Sequence, residues 1–273
     1  MFPRIATIEH MCESLSLFSE PTKAWFEHAF GQPTEAQAQA WPAIHSGRNV
    51  LVIAPTGSGK TLAAFLSAID RLMTVSRTRR AGVRVLYVSP LKALAVDVAK
   101  NLAQPLEGIA AQCEAQGLPA PKIAVANRSG DTTAQERRRI ASHPPDILVT
   151  TPESLYLLLT SKAGRILGTV DTVIVDEIHA VAGTKRGSHL ALSLERLENL
   201  VAESRRRDAM DRNDGESKVS DDSGNEPLLQ RIGLSATVNP PEEAARFLTG
   251  GRPVTIVNPG GRPAMDLRMV EPL

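Results

Sequence analysis

The stretch that decides the fold reads Ala54-Pro55-Thr56-Gly57-Ser58-Gly59-Lys60-Thr61. One apolar run, 50–53, precedes it and another, 62–66, follows it, which predicts a strand, a glycine-containing turn and the start of a helix. Such a turn directs successive backbone N–H groups into one concavity at the positive end of a helix, where polyphosphates bind. The pattern therefore predicts a phosphate-binding loop formed by Thr56, Gly57, Ser58, Gly59, Lys60 and Thr61.

Each residue type in this loop has a chemical reason to be there. Gly57 and Gly59 let the backbone bend tightly and approach a phosphate closely. The Lys60 ammonium can reach the β- and γ-phosphates of a nucleoside triphosphate, and the Thr61 hydroxyl can ligate Mg²⁺. The general pattern begins with a glycine, which Ala54 replaces here. A chance glycine turn beside an exposed lysine is the alternative, and the flanking strand and helix disfavour it.

The composition is that of a globular protein with a sizeable core, because 42% of the 273 residues are hydrophobic and 22% are charged. The formal net charge is only +1, so a nucleic-acid partner must be argued from local sites. Cys12 and Cys113 have no metal-binding spacing, and we expect no disulfide between them. No leader peptide and no apolar stretch of about 20 residues is visible, so we expect a cytoplasmic location and no membrane contact.

Segments that resemble strands alternate with segments that resemble helices along the chain. This alternation predicts an α/β fold, in which right-handed crossovers build a mostly parallel sheet with helices on both faces. The predicted strands are 50–53, 83–88, 123–126, 146–150, 170–175, 231–234 and 254–257, and the predicted helices include 34–45, 60–73, 91–115 and 188–203. Ligands bind beyond the carboxyl ends of strands in such sheets. Six motifs follow these strands and should meet at one edge: 54–61, 89–94, 127–132, 150–155, 176–179 and 235–237.

The chain divides into three predicted parts. Residues 1–30 read as a helical lead-in, in which the aromatic residues are expected to pack, and residues 31–258 form the main domain. Within the main domain, about 203–227 is highly charged and almost free of apolar residues, which predicts a disordered insertion. Residues 259–273 read as the start of a linker. The aromatic residues of the lead-in helix are Trp25, Phe26 and Phe30.

Asp176 and Glu177 are the candidate catalytic carboxylates. Asp176 closes an apolar strand, where a rigid carboxylate can hold Mg²⁺ directly or through water. Glu177 is then placed to polarise the water that attacks a γ-phosphate. Phosphoryl transfer needs mainly positioning and charge neutralisation, which Lys60, Mg²⁺ and the loop amides would supply.

Gln37 has two possible roles. Thr34 is a good N-cap with Gln37 three residues later, which is the arrangement of a capping box. The functional alternative is that the Gln37 amide reads an adenine edge, since an amide offers both a donor and an acceptor.

His179 follows Asp176 by three residues. A lone histidine is often structural, but this placement favours a contact with Ser235 or Thr237, which follow a later strand. The triplet Ser235-Ala236-Thr237 is a weak signal by itself, because small hydroxyl residues often cap strands and helices.

Together these motifs resemble those of superfamily 2 helicases of the DEAD/DEAH-box type. Residues 54–61, 176–179 and 235–237 resemble motifs I, II and III, and residues 34–37, 89–94 and 150–155 resemble the Q, Ia and Ib motifs. The stretches 128–132 and 176–187 are similar to the large helicase-related (Lhr) branch. The resemblance covers about 15–273 outside the insertion.

The resemblance implies a three-layer RecA-like domain that binds ATP and Mg²⁺. Gln37 would contact adenine, and the residues Thr56 to Thr61 would bind phosphates and, with Asp176, the metal. Lys60, Asp176 and Glu177 would serve hydrolysis, while His179, Ser235 and Thr237 would couple the nucleotide state to the grip on nucleic acid. Single-stranded DNA or RNA would be held mostly by its backbone, along Lys92, Arg128, Gly130, Thr151, Glu153 and Ser154.

Helicases of this class use two RecA-like domains, and we find no second one here. We therefore expect an incomplete motor, which hydrolyses ATP slowly and does not unwind duplexes alone. Two alternatives stay open. One is a different phosphate-loop enzyme, although the Asn-Lys-x-Asp base reader of GTPases does not occur. The other is an ATP-dependent nucleic-acid-binding module without turnover.

Overall fold

The computed structural model describes residues 13–74, 81–211 and 229–260. The strands are β1 (Val50–Ile53), β2 (Val85–Val88), β3 (Val125–Arg128), β4 (Ile147–Thr150), β5 (Thr172–Val175), β6 (Gln230–Ser235) and β7 (Thr255–Val257). The helices are α1 (Glu20–Phe30), α2 (Glu35–His45), α3 (Lys60–Thr74), α4 (Lys92–Asn101), α5 (Ala103–Ala115), α6 (Ala134–Ser142), α7 (Pro152–Leu159), α8 (Lys185–Asp211) and α9 (Pro241–Thr249). Two short 3₁₀ segments, Lys162–Leu167 and Ile178–Ala180, flank β5.

The strands form one sheet in the order β3-β4-β2-β5-β6-β1-β7, and every pairing among the described residues is parallel. The predicted α/β fold is therefore confirmed. Strands β1, β2, β4, β5 and β6 are buried along their whole length, as expected where helices cover both faces. This arrangement brings the carboxyl ends of all the strands to one edge.

The two faces of the sheet have separate cores because successive side chains in a strand point to opposite sides. On one face the strand residues pack against α2, α3 and α5, through a cluster that includes Trp41, Val52, Phe65, Tyr87, Ile109 and Ile174. On the other face they pack against α7, α8 and α9, through a cluster that includes Leu51, Leu155, Val175, Leu194, Leu197 and Leu248. The result is the predicted three-layer arrangement.

The long helix predicted over 91–115 is wrong in one respect, because it is broken in two at Leu102. Pro105 lies in the first turn of α5 and has no N–H to donate to the carbonyl of Asn101. Its ring also clashes with that carbonyl in a continuous helix. The chain therefore ends α4 at Asn101 and starts α5 at Ala103.

Helix α8 extends through Asp211, so the predicted start of a disordered insertion near 203 is wrong. Polar contacts, rather than apolar packing, stabilise the part of α8 that follows residue 203. Glu203 and Arg207 form an ion pair one turn apart at 3.0 Å, and Ser204 packs closely against Gly168. The rest of the predicted insertion, 212–227, lies outside the described residues, as do 1–12 and 261–273.

Strand β3 begins two residues later than predicted. Val125 pairs with Ile147 and Arg128 pairs with Thr150, so Arg128 closes the strand rather than following it. The N–H of Ala124 donates to the Asp146 side chain at 2.8 Å, just before the ladder begins. Within the described ranges, no helix is both long and apolar enough to cross a membrane.

A buried ion-pair network ties β6 to α8 at the amino ends of the strands. Arg231 is 1% exposed and donates to Glu195 at 2.9 Å, to Glu198 and to the carbonyl of Leu248 at 3.0 Å. Arg252 donates to the other oxygen of Glu195 at 2.7 Å. The Arg252 hydrogen bond, with a further contribution from Arg231, lowers the pKa of Glu195 to about 2.

Replacing Glu195 by glutamine is expected to lower the melting temperature at pH 7 by about 2–4 °C, since the partly exposed pair is screened by solvent. A lowered carboxyl pKa contributes stability above its unfolded value, and that stability is lost as pH falls through the folded pKa. The difference between Glu195→Gln and wild type should therefore shrink between about pH 4.5 and pH 2. Thermal melts across this range measure it, with Glu243→Gln, from an exposed pair on α9, as control.

Candidate nucleotide and nucleic-acid site

The predicted phosphate loop lies between β1 and α3, and the neighbouring helix start shapes it. Gly57 and Gly59 have φ values of 84° and 78°, the left-handed region that favours glycine. The Thr34 hydroxyl donates to the carbonyl of Ser58 at 2.7 Å, and the Gln37 amide donates to the carbonyl of Gly59 at 3.2 Å. The loop is therefore held in its bent form by the N-cap and the first turn of α2.

Gln37 does form the predicted capping box. Its side-chain oxygen accepts from the N–H of Thr34 at 2.9 Å, and the Thr34 hydroxyl accepts from the N–H of Gln37 at 3.3 Å. Gln37 is only 3% exposed, because the rest of its amide is used by the loop. The capping role is confirmed, and the adenine contact stays a prediction.

Replacing Gly59 by alanine is expected to weaken nucleotide binding by at least about tenfold, which corresponds to roughly 1.4 kcal/mol. A Cβ at this position would lie 2.4 Å from the Gln37 amide nitrogen, and the residue would also keep an unfavourable positive φ. Titration with a fluorescent ATP analogue measures the effect. Gly117→Ala is a matched control, since its φ is +70° but a Cβ there meets nothing within 4 Å. Equal affinities in the two variants would contradict the prediction.

Asp176 follows β5 at the edge of the sheet and is 5% exposed. One carboxylate oxygen accepts from the N–H of Glu177 at 2.8 Å, and the other accepts from the hydroxyl of Tyr87. Burial, followed by the charge of Asp176, raises the pKa of Tyr87 far above its usual value. Tyr87 was not among the predicted site residues, and only the pairing of β2 with β5 reveals it.

Glu177 has an unusual backbone conformation, with φ 47° and ψ 48°. Within the described part of the chain it is the only residue other than glycine with a positive φ. One of its carboxylate oxygens is buried without a hydrogen bond. Strained residues and unpaired buried polar atoms concentrate at functional sites, so this geometry supports the predicted catalytic role.

The predicted contact between His179 and Ser235 is present. The His179 Nδ1 atom lies 3.0 Å from the Ser235 hydroxyl and 3.3 Å from a carboxylate oxygen of Glu177, without hydrogen-bond geometry to the latter. Ser235 pairs with Ile53, and its carbonyl accepts from the N–H of Ala54 at 3.0 Å. A short path of contacts therefore runs from Glu177 through His179 to the strand beside the phosphate loop.

Thr237 belongs to a cavity of about 390 Å³ beside the loop. The cavity is lined by residues of the α2 start, the phosphate loop and the segments after β6 and β7, including Thr34, Pro55, Ser58, Thr237, Val238 and Asn258. The Ser235 hydroxyl also lies 3.5 Å from the carbonyl of Thr237. The structure thus places Thr237 next to the loop, and the coupling role of these residues stays a prediction.

The residues present fit Mg²⁺, which keeps several waters and is usually held by one or two protein groups plus substrate phosphates. Thr61 lies at the start of α3, Lys60 is 5% exposed beside it, and Asp176 offers an oriented carboxylate. No group of three His, Cys, Asp or Glu side chains that could hold a metal occurs in the residues described. A metal at this edge would therefore depend on the nucleotide for several of its ligands.

A second cavity, of about 210 Å³, lies between α1, α3 and the α4–α5 break. Phe30 is 51% exposed and lines it together with Trp25, Thr61 and Phe65. Trp25 and Phe26 are buried as the packing prediction expects, but Phe30 is not. A cavity of about 270 Å³ lies at the opposite end of the strands, near Thr172, and contains none of the predicted site residues.

The candidate nucleic-acid residues lie on the half of the sheet formed by β3, β4 and β2. Lys92, at the start of α4, forms an exposed ion pair with Asp131 at 2.9 Å, and Gly130 lies beside it. Arg128 ends β3, where its carbonyl accepts from the Thr150 hydroxyl at 2.7 Å. The structure therefore brings together motifs that are about 60 residues apart in sequence.

Arg128 is 9% exposed, and one terminal nitrogen of its guanidinium is buried without a hydrogen bond. Burial, and then the charge of Arg137, lowers the pKa of Arg128. Arg137, on α6, donates to the carbonyl of Gly130 at 2.8 Å and was not among the predicted residues. In these contacts neither guanidinium is bonded to a carboxylate. Two neighbouring positive charges of this kind favour an anionic partner.

Thr151, Glu153 and Ser154 occupy the start of α7. The Thr151 hydroxyl accepts from the N–H of Ser154 as a helix cap, and both side chains are buried. Glu153 is bonded through both oxygens to Arg186, whose hydrogen bond lowers the pKa of Glu153. Arg186 was not among the predicted residues, and it forms an ion pair with Glu153.

These features define a class of protein. A parallel sheet with a phosphate loop after β1, an Asp-Glu pair after β5 and a basic edge near β3 is a phosphate-loop nucleotide-binding domain. The chain belongs to the DEAD/DEAH box helicase family, which matches residues 34–245. The predicted resemblance to the DEAD/DEAH-box helicases is therefore confirmed.

Relatives named for the Lhr branch match nearly the whole chain. An Lhr helicase of Mycolicibacterium smegmatis is 55% identical over 261 residues, covering 96% of this chain and 16% of the relative. An Lhr helicase/uracil glycosylase of Escherichia coli is 49% identical over 263 residues, covering 94% of this chain and 16% of the relative. The chain thus spans about a sixth of the length of these curated relatives.

A solved structure supports the fold and the branch. The structure of Mycobacterium smegmatis helicase Lhr bound to ssDNA and AMP-PNP superposes with a TM-score of 0.76 and 57% sequence identity. The match covers 89% of this chain and 28% of that chain. The similarity to the Lhr branch predicted from residues 128–132 and 176–187 is therefore confirmed.

Proposed function

We propose that this chain is an ATP-hydrolysing motor domain that grips single-stranded nucleic acid by its backbone. The observation that carries the proposal is the convergence of Lys60, Asp176, Glu177 and the His179–Ser235 contact at one edge of the sheet. A nucleotide in the loop and a strand over β3 and β4 would then lie on the same edge.

The chain's own residues would divide the work of hydrolysis. The amides of residues 56–61 and the ammonium of Lys60 bind the phosphates, and Gln37 contacts adenine after releasing part of its loop contact. Thr61 and Asp176 would hold Mg²⁺, which would neutralise part of the charge on the phosphates. Glu177 orients the attacking water, and its strained backbone fixes the carboxylate for that task.

Coupling would run through the contacts of His179 with Glu177 and Ser235, which join the end of β5 to the end of β6. A change at Glu177 reaches Ser235 through the imidazole of His179, and Ser235 and Thr237 flank the phosphate loop. The basic residues Lys92, Arg128, Arg137 and Arg186 would bind phosphates of the strand without reading its sequence. The solved relative is bound to ssDNA, so DNA is the first substrate to test.

The test is ATP hydrolysis by the wild-type chain with and without single-stranded DNA and single-stranded RNA of equal length. We expect slow hydrolysis that rises severalfold with at least one strand and falls with added salt. Nucleotide binding without any turnover would favour the alternative, an ATP-dependent binding module. No nucleotide binding at all would overturn the proposal.

We also propose that a second RecA-like domain completes the ATP site, and that the chain acts in the cytoplasm. A motor needs a second surface that moves against the first, and Thr237 lines the open cavity of about 390 Å³ beside the loop. The 273-residue chain is therefore expected not to unwind a duplex alone. Robust strand separation by the purified chain would contradict this.

A further inference from the structure

The side chain of Tyr87 is fully buried beside Asp176, the candidate metal ligand at the carboxyl end of β5. Strand β2 pairs with β5 so that Tyr87 is opposite Ile174, and Asp176, two residues later, points to the same face of the sheet. The Tyr87 hydroxyl donates to Asp176 across this diagonal. A buried phenol needs such a partner, and here the partner is the candidate metal ligand.

Both oxygens of Asp176 are therefore held by donors from different parts of the chain. The backbone N–H of Glu177 binds one oxygen at 2.8 Å, and Tyr87 binds the other. Two fixed donors set the plane of the carboxylate, while each oxygen keeps a lone pair that can face a cation. Without the tyrosine hydroxyl, the carboxylate could rotate about its last side-chain bond.

The ring of Tyr87 is itself fixed by α3. The ring of Phe65 packs against it with a centroid separation of 5.0 Å, and Phe65 lies one turn after Thr61. Tyr87 therefore connects the helix that carries Thr61 to the strand end that carries Asp176. This contact sets the relative position of the two candidate metal ligands, which lie on separate elements.

We propose that Tyr87 is a positioning residue for the metal site, whose hydroxyl orients the Asp176 carboxylate toward a nucleotide-bound divalent cation. The inference rests on the proposed function, since Asp176 meets a metal only if the chain binds Mg²⁺ with nucleotide. Partners that orient a metal ligand typically change metal affinity or activity by about 10–100-fold when removed.

The test replaces Tyr87 by phenylalanine, which removes one oxygen and keeps the ring against Phe65. Binding of a fluorescent ATP analogue is titrated with Mg²⁺, and we expect the half-saturating Mg²⁺ concentration to rise by about tenfold. Nucleotide affinity without Mg²⁺ should stay unchanged, and excess Mg²⁺ should restore most of the hydrolysis rate. Tyr156→Phe is the matched control, because Tyr156 is the other of the two tyrosines and packs against His189 on α8.

The same Mg²⁺ requirement in Tyr87→Phe and wild type would overturn the inference while leaving the proposed function intact. Wild-type binding that is identical with and without Mg²⁺ would instead remove the metal role of Asp176, and the inference with it. If Tyr87→Phe does not fold, fluorotyrosine in the Tyr156→Phe chain reports on Tyr87 alone. Its ¹⁹F signal should move when Mg²⁺ is added to the nucleotide complex, and an unmoved signal would contradict the proposal.

Discussion

Replacing Glu177 by glutamine is expected to lower the rate of ATP hydrolysis by at least about 100-fold, the range typical of a lost general base. Glutamine keeps the size of the side chain and can adopt the same strained backbone, but it cannot draw a proton from water. Its amide also replaces the carboxylate oxygen that lies 3.3 Å from the Nδ1 atom of His179. Nucleotide binding should remain within about twofold of wild type, because no phosphate contact is removed.

Steady-state hydrolysis with saturating single-stranded DNA, beside titration with a fluorescent ATP analogue, separates the two effects. Glu203→Gln is the matched control, since it removes an exposed carboxylate from an ion pair on α8 that is not part of the site. That variant should hydrolyse ATP at the wild-type rate. A Glu177→Gln chain that still turns over ATP within a few-fold of wild type would show that another group activates the water.

Replacing Arg128 by methionine is expected to weaken binding of single-stranded nucleic acid by at least about tenfold, as for the loss of one charge-assisted hydrogen bond. The slope of log affinity against log salt should fall by about 1, because one phosphate contact is lost. Binding should weaken equally for different sequences. Fluorescence anisotropy with labelled strands at several salt concentrations measures all three quantities.

The same variant should be as stable as wild type or more stable. The Arg128 guanidinium is buried, one of its nitrogens has no partner, and burial together with Arg137 lowers its pKa. An apolar side chain of similar length removes the free-energy cost of burying this charge in the protein without bound nucleic acid. Arg138→Met, from an exposed position on α6, is the control and should change neither stability nor affinity strongly. A large loss of stability with unchanged affinity would assign Arg128 a structural role instead.

Much of the nucleotide site could be predicted without coordinates because its chemistry is local. The phosphate loop needs particular residue types at fixed spacing between a strand and a helix, and residues 54–61 supply them. The Asp-Glu pair follows a run of apolar residues that can only be a buried strand in this context. The alternation of strands and helices then determines that both lie at one edge of a parallel sheet.

Secondary structure was less predictable where polar contacts replace apolar ones. The end of α8 is held by an ion pair and by Ser204 against Gly168, so its low apolar content is misleading. The break before α5 comes from Pro105, which removes a hydrogen bond from an otherwise continuous helical pattern. Both differences concern where elements end, and neither moves the site.

What the sequence by itself determined is the set of groups that meet the phosphates, the metal and the water, because each is defined by its neighbours in the chain. Only the tertiary structure decided which distant groups support them: Gln37 against Gly59, Tyr87 against Asp176 and Arg137 near Arg128. These contacts depend on the order of strands in the sheet. Local patterns specify that a strand forms, but packing of the whole chain selects its neighbours.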